Sequence, residues 1–166
     1  VYSFADSDGD GFGDLKGLTD KLDYLNDSRP GSPATDKSLG ITALWLSPVH
    51  PSPSYHGYDV LDYRAISPKL GTMDDFRTLV KEAHLRGIHI VMDMVFNHSA
   101  KDHPWFRSWD KDPQGPHKDF YISRQKGTAY DTSGMGTFHP ARGGKEYFAA
   151  FWSGMPDLNL GNPAVV

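Results

Sequence analysis

Apolar residues recur at helical spacing from Leu15: Leu15, Leu18, Leu22 and Leu25 fall on one stripe, which predicts an amphipathic helix of about four turns beginning after Asp14. It has to stop before "NDSRPGSPATDKS", a Pro, Gly and Ser run that reads as a loop. The pattern then turns from periodic to continuous: "ITALWLSPV", 41 to 49, is rich in strand formers and closed by Pro48, and predicts a buried strand. Helical spacing returns in "TMDDFRTLVKEAHLRG", where Phe76, Leu79, Val80 and Ala83 form the stripe, Thr72 and Asp75 have capping-box spacing, and Gly87 marks the stop. "IHIVMDMVF" follows directly as another apolar strand. With "VYSF" read as the tail of a first strand, the order strand, helix, strand, helix, strand predicts a parallel sheet covered by helices. From 99 to about 155 no period survives, and a stretch of that length is expected to be functional or a small inserted domain.

Composition narrows the classes. An apolar share of 38% with 23% charged residues fits a globular protein, and 166 residues can bury one sizeable core or belong to something larger. A net charge of −4 gives no basic footprint for nucleic acid. The absence of cysteine excludes disulfides and thiolate metal sites, and no apolar run reaches membrane-spanning length. Aromatic rings and histidines crowd between Tyr55 and Tyr63 and between His98 and Trp152; such rings suit stacking on sugar faces, or a plain core under long loops.

The run "DSDGDGFGD" sets Asp6, Asp8, Asp10 and Asp14 close together among glycines, where their charges repel. A hard cation would offset that repulsion, and the run fits the start of the calcium-loop pattern D-x-[DN]-x-[DN]-G, with Gly11 at the turn and the Phe12 carbonyl at the seventh place. The twelfth place holds Gly17 instead of a bidentate Glu, and Asp14 at the ninth is the natural substitute. A solvated acidic turn in which Asp14 only caps the next helix stands beside the metal reading. Two more polar clusters follow predicted strands: "PSYHGYDVLDY" and "DMVFNH". In parallel α/β folds the carboxyl ends of strands line the site. Taken singly, Tyr58 reads as core, Asp59 and Asp62 as turn residues, and Asn97 and His98 as strand-end caps. Asp93 inside an apolar strand would need a partner if buried, which favours a functional role.

The ordered motifs "GYDVLDY", "DMVFNH" and "MPDLN", with "ALWLSPV", "KLGTMDDF" and the acidic loop, resemble the α-amylase family of glycoside hydrolases, most of all its oligo-1,6-glucosidase and intermediate α-amylase branches. The resemblance implies part of a (β/α)₈ TIM barrel: 1–98 as strands 1 to 3 with their helices, 99–155 as an inserted domain, and 156–166 as the return toward strand 4. It implies calcium held by Asp6, Asp8, Asp10, the Phe12 carbonyl and Asp14, with Asn97 a ligand of a second calcium in many members. By the same resemblance Tyr58 stacks on the sugar at the cleavage subsite, His98 hydrogen-bonds it, Asp93 supports the site from beneath, and Asp59 meets a non-reducing terminal sugar. The expected substrate is an α-glucan or oligosaccharide, and the expected location is extracellular or periplasmic.

Retaining glycosidases use two carboxyl groups about 5 Å apart. The family takes its nucleophilic Asp, acid Glu and further Asp from later strands, and of the 21 acidic residues here only Glu82 and Glu146 are Glu, neither at a strand end. The catalytic triad is therefore expected outside these 166 residues, with the chain an internal piece of a larger enzyme, inactive alone. A non-catalytic amylase-like binding or interaction module is the alternative; intact Tyr58, Asp93 and His98 favour the enzyme.

Overall fold

The structure is a computed structural model that describes residues 2–112, 114–132 and 134–166, in two compact units. The first comprises the residues up to Pro51 together with Arg64–Met94. Its elements are α1 (Leu15–Asp20), α2 (Leu22–Leu25), β1 (Ala43–Leu46), α3 (Met73–Leu85) and β2 (His89–Met92). Asp14 caps α1 by accepting the Gly17 N–H at 2.6 Å. The expected single helix is two pieces, because the backbone leaves helical geometry at Lys21 (φ −102°, ψ 7°). All four stripe leucines still reach the core, where they meet Leu44, Leu46, Leu79, Ala83 and Ile88. In α3 both arms of the capping box form: the Thr72 hydroxyl accepts the Asp75 N–H, and the Asp75 carboxylate accepts the Thr72 N–H. Gly87 at φ 69° supplies the left-handed residue that ends the helix.

β1 and β2 pair in parallel, from Ala43 opposite His89 to Leu46 opposite Met92. The strands were expected to be buried on both faces, and only one is. Leu44 and Leu46 are buried, whereas Trp45 and Val91, paired on the other face, are 57% and 50% exposed. Helices cover one side only among the described residues, so the pleat sorts alternate side chains into core and solvent.

The first strand expected at "VYSF" also differs. Val1 lies outside the described residues, and Tyr2–Ala5 form no strand. Their polar groups turn to the acidic loop and α1 instead: Gly13 donates to Ser3 Oγ at 2.7 Å and Asp14 N–H to the Ala5 carbonyl at 2.9 Å. The approach is close. A Cβ on Gly17 would stand 2.1 Å from the Ala5 oxygen.

The second unit comprises Ser52–Tyr63 and Val95–Val166. Where no period was legible it holds α4 (Pro104–Lys111) and an antiparallel sheet of β3 (Ser123–Gln125), β4 (Thr137–Pro140) and β5 (Lys145–Ala149) in the order β3-β5-β4. Its core is aromatic: Phe106 meets Tyr121 and Tyr147 edge to face at 5.0 and 4.9 Å, beside fully buried Trp109. The cap of α4 is His103, whose Nδ1 accepts the Trp105 N–H at 3.1 Å. Burial pulls the His103 pKa down to about 4, against the pull of Asp62, so the ring is neutral at pH 7 and keeps the lone pair that the cap needs.

Two expected outcomes follow from this packing. Gly17→Ala in the intact protein should cost about 3 kcal/mol, since a backbone carbonyl blocks the new methyl, whereas Lys16→Ala, at an exposed ion pair, should stay within about 0.5 kcal/mol; denaturant unfolding compares them. His103 titrates near 6.5 when unfolded and about 4 when folded. Its contribution is therefore present above pH 6.5 and lost as pH falls through about 4. His103→Asn keeps a cap acceptor that does not titrate, so thermal unfolding of the variant should lose less stability over that window than the parent; parallel curves would count against the assignment.

Candidate active site and acidic loop

Asp93 directly follows β2 in the first unit, half-buried, and its N–H donates to the Leu46 carbonyl at 3.0 Å, which fixes it at the strand end. The acidic loop lies in the same unit. Glycine lets it curl: Gly9 and Gly11 take φ of 83° and 88°. Asp6 accepts N–H groups from Gly9 at 2.6 Å and Gly11 at 2.8 Å. These donors, Gly11 foremost, hold its carboxyl below the usual range. For Asp14 burial pushes upward as the largest single effect, but the Gly17 and Ser7 donors together outweigh it and the pKa is lowered. Ligand oxygens of Asp6, Asp8 and Asp14 come within 4.8 Å of one another. Three hard oxygen donors converging on one point fit a calcium-sized cation. Asp10 falls outside this group; its Oδ1 accepts the Phe12 N–H at 2.7 Å.

The second unit brings Tyr58, Asp59 and His98 together. His98 is 4% exposed, its Nε2 lies 3.1 Å from the Tyr58 carbonyl, and Asn97 Nδ2 lies 3.3 Å from its Nδ1. With the amide donating to Nδ1, the proton belongs on Nε2, which donates to the carbonyl. Burial lowers the His98 pKa, against the Tyr58 carbonyl and the charges of Asp157 and Asp59, and the ring is neutral at pH 7. The Phe151 ring, 70% exposed, meets His98 edge-on at 5.2 Å. Asp59 is buried and lines a cavity of about 310 Å³ with Lys101, Asp102 and Trp152.

Sequence reasoning missed Asp157, although "MPDLN" contained it. It is buried, bridges His98 backbone to backbone, and accepts the Ala150 N–H at 3.1 Å and the Asn97 amide. Burial raises its pKa in spite of those donors. Both glutamates are committed to arginines, Glu82 to Arg86 and Glu146 to Arg124, each at 2.8 Å.

The first unit is a parallel strand–helix–strand arrangement, and the second holds His98 against the Tyr58 carbonyl and Asp59 at a cavity that Trp152 also lines. Comparison with known proteins makes this specific. The alpha-amylase catalytic-domain family matches residues 1–166, and the chain belongs to that family of glycoside hydrolases, with its TIM-barrel type of fold. It is 49% identical over 166 residues to Alpha-amylase 3 of Dictyoglomus thermophilum, covering 99% of this chain and 30% of that protein. It is 41% identical over 171 residues to an oligo-1,6-glucosidase of Parageobacillus thermoglucosidasius, covering 98% and 28%. The crystal structure of the alpha-amylase from H. orenii superimposes with a TM-score of 0.87 at 47% identity, covering 99% of this chain and 34% of that one. The chain thus spans about three tenths of the length of the curated relatives it matches. Among the described residues no helix is long and apolar enough to cross a membrane.

Proposed function

We propose that the chain supplies the early strands of a (β/α)₈ barrel, and the domain inserted after the third strand, to a retaining hydrolase of α-glucosidic bonds in starch, maltodextrins or oligosaccharides. The observation that carries this is the family match over the whole chain. The nucleophile and general acid lie outside these residues in this reading, consistent with both glutamates being held by arginines. What the chain provides is recognition. Tyr58 offers its ring to a sugar face, and the Asp59 carboxylate accepts from sugar hydroxyls. His98 enters as a donor whose Nε2–H is shared between the Tyr58 carbonyl and the substrate, and its burial lowers the pKa and so favours the neutral ring.

The acidic loop completes the proposal. Asp6, Asp8 and Asp14 hold a calcium ion, which supplies positive charge among carboxylates that otherwise repel, with Asp10 and the Phe12 carbonyl as further candidates. A second calcium would use Asn97 Oδ1, since the amide nitrogen of that residue is taken up by His98 and Asp157.

In the intact enzyme His98→Ala should lower kcat on maltodextrin at least a hundredfold while leaving the melting temperature within a few degrees. Near-normal turnover would remove His98 from the site. For the loop, saturating calcium should raise the melting temperature of the parent and leave an Asp6→Asn/Asp8→Asn double variant unmoved. A calcium shift that survives both substitutions would place the ion elsewhere.

A further inference from the structure

The Ser52–Tyr63 segment shows how Asp59 is held, which substrate contact alone does not explain. Asp59 is only 3% exposed, yet it lines the cavity shared with Pro53, Lys101, Asp102, Trp152 and Gly154. Two hydroxyls converge on one of its oxygens: Ser52 Oγ donates to Oδ1 at 2.5 Å, and Ser54 Oγ donates to the same atom. The serines are tied to each other, since the Ser54 N–H donates to Ser52 Oγ at 3.2 Å. His56 packs beside them, its Nδ1 accepting the Tyr58 N–H at 3.1 Å and lying 3.0 Å from Ser54 Oγ, whose proton goes to Asp59. Hydroxyl bonds to a carboxylate are charge-assisted and strongly directional, so two on one oxygen fix both the rotamer and the carboxylate plane. The second oxygen, Oδ2, remains as the acceptor for a ligand.

Trp152 makes a rigid wall of the same cavity. A Cβ on Gly154 would stand 2.2 Å from the indole, so the ring lies directly on that backbone, and the Met155 N–H closes the turn onto the Trp152 carbonyl at 2.9 Å. At about 310 Å³ the space is at the small end of ligand pockets and has room for one sugar ring.

We propose that Ser52 and Ser54 are positioning residues that aim Asp59 Oδ2 at a hydroxyl of a single sugar ring resting against Trp152, and so bias the enzyme toward chain ends. This rests on the reading of Asp59 as a sugar contact, and the test separates the two. In the intact enzyme kcat and KM are measured on maltotriose and on soluble starch, with melting temperatures, for Ser52→Ala/Ser54→Ala, Ser52→Thr/Ser54→Thr and Asp59→Ala. The double Ala variant should raise KM for maltotriose tenfold or more, with kcat within threefold and starch KM within twofold. The double Thr variant, which keeps both hydroxyls, should restore the maltotriose KM to within threefold, and Asp59→Ala should lose at least as much as the double Ala variant. Should the double Ala variant fail to fold, Ser54→Ala is measured in its place with the same outcomes. Unchanged maltotriose KM in the serine variant, with a raised one in Asp59→Ala, overturns the positioning role while leaving Asp59 in the site. No effect of Asp59→Ala overturns that reading and the proposal with it. Equal losses on both substrates with a lowered melting temperature would show that the serines only stabilise the turn, and would also overturn it.

Discussion

Parallel pairing of β1 with β2 is the constraint on which the rest depends, because parallel strands must be joined by a crossover and cannot be closed by a hairpin. The chain puts that obligatory connection to two uses. Its later half is α3, whose leucine and alanine stripe covers the helix-facing side of the strands. Its earlier half leaves the first unit between Pro51 and Arg64 and belongs to the second, carrying Tyr58 and Asp59 with it. The two ends of that excursion are tied where they depart and return: the Ser67 N–H donates to the Val49 carbonyl at 2.8 Å, and His50 Nδ1 lies 3.0 Å from the Ala65 carbonyl. A short tether across a long loop limits the entropy lost in ordering it, so Tyr58 and Asp59 can sit on a loop without being loosely held.

Three aspartates show how one side chain is put to different work by its donors. Asp14 takes backbone N–H groups and the Ser7 hydroxyl, and the result is a capped helix with its charge favoured. Asp59 takes two serine hydroxyls on one oxygen and lines the cavity. Asp157 accepts the Ala150 N–H and the Asn97 amide, lies on the segment that bridges to His98, and has a pKa raised by burial. Burial of a carboxylate is costly in every case, and what differs is how many donors offset it and whether any acceptor is left over.

Legibility followed the same physics. α3 was readable down to its capping box and its terminal glycine because those signals are local and periodic. β1 and β2 were found as strands, but their exposed face was not foreseen, since an unbroken apolar run carries no record of which side is covered. Tyr2–Ala5 looked like strand and is not, because a strand needs a ladder partner that a short apolar word cannot specify. α4 and the sheet β3-β5-β4 were illegible for a different reason. Their core rests on a few large rings, Phe106, Trp109, Tyr121 and Tyr147, whose spacing in sequence follows no period and whose contacts are made only in three dimensions. Motifs pointed to Tyr58, Asp59 and His98, which the structure places in one unit, while nothing in the sequence pointed to the hydrogen bonds of Ser52 and Ser54 to Asp59, since a serine in a Pro-rich turn looks the same with or without them.

The two glutamates bear on the division of labour. A glycosidase acid must hold its proton near neutral pH, which calls for an apolar pocket and no cation at the carboxyl. Glu82 and Glu146 have other surroundings, each accepting from a guanidinium. Arg86 also spans to Asp23 and Arg124 lies 3.9 Å over the Phe138 ring, so removing either glutamate to free it for chemistry would strand a cation already built into the packing. The side chains proposed to meet a sugar, a neutral imidazole, a phenol and a hydroxyl-anchored carboxylate, would bind and orient it without breaking a bond. Bond cleavage in the proposed reaction therefore draws on carboxyl groups that this segment serves but does not contain.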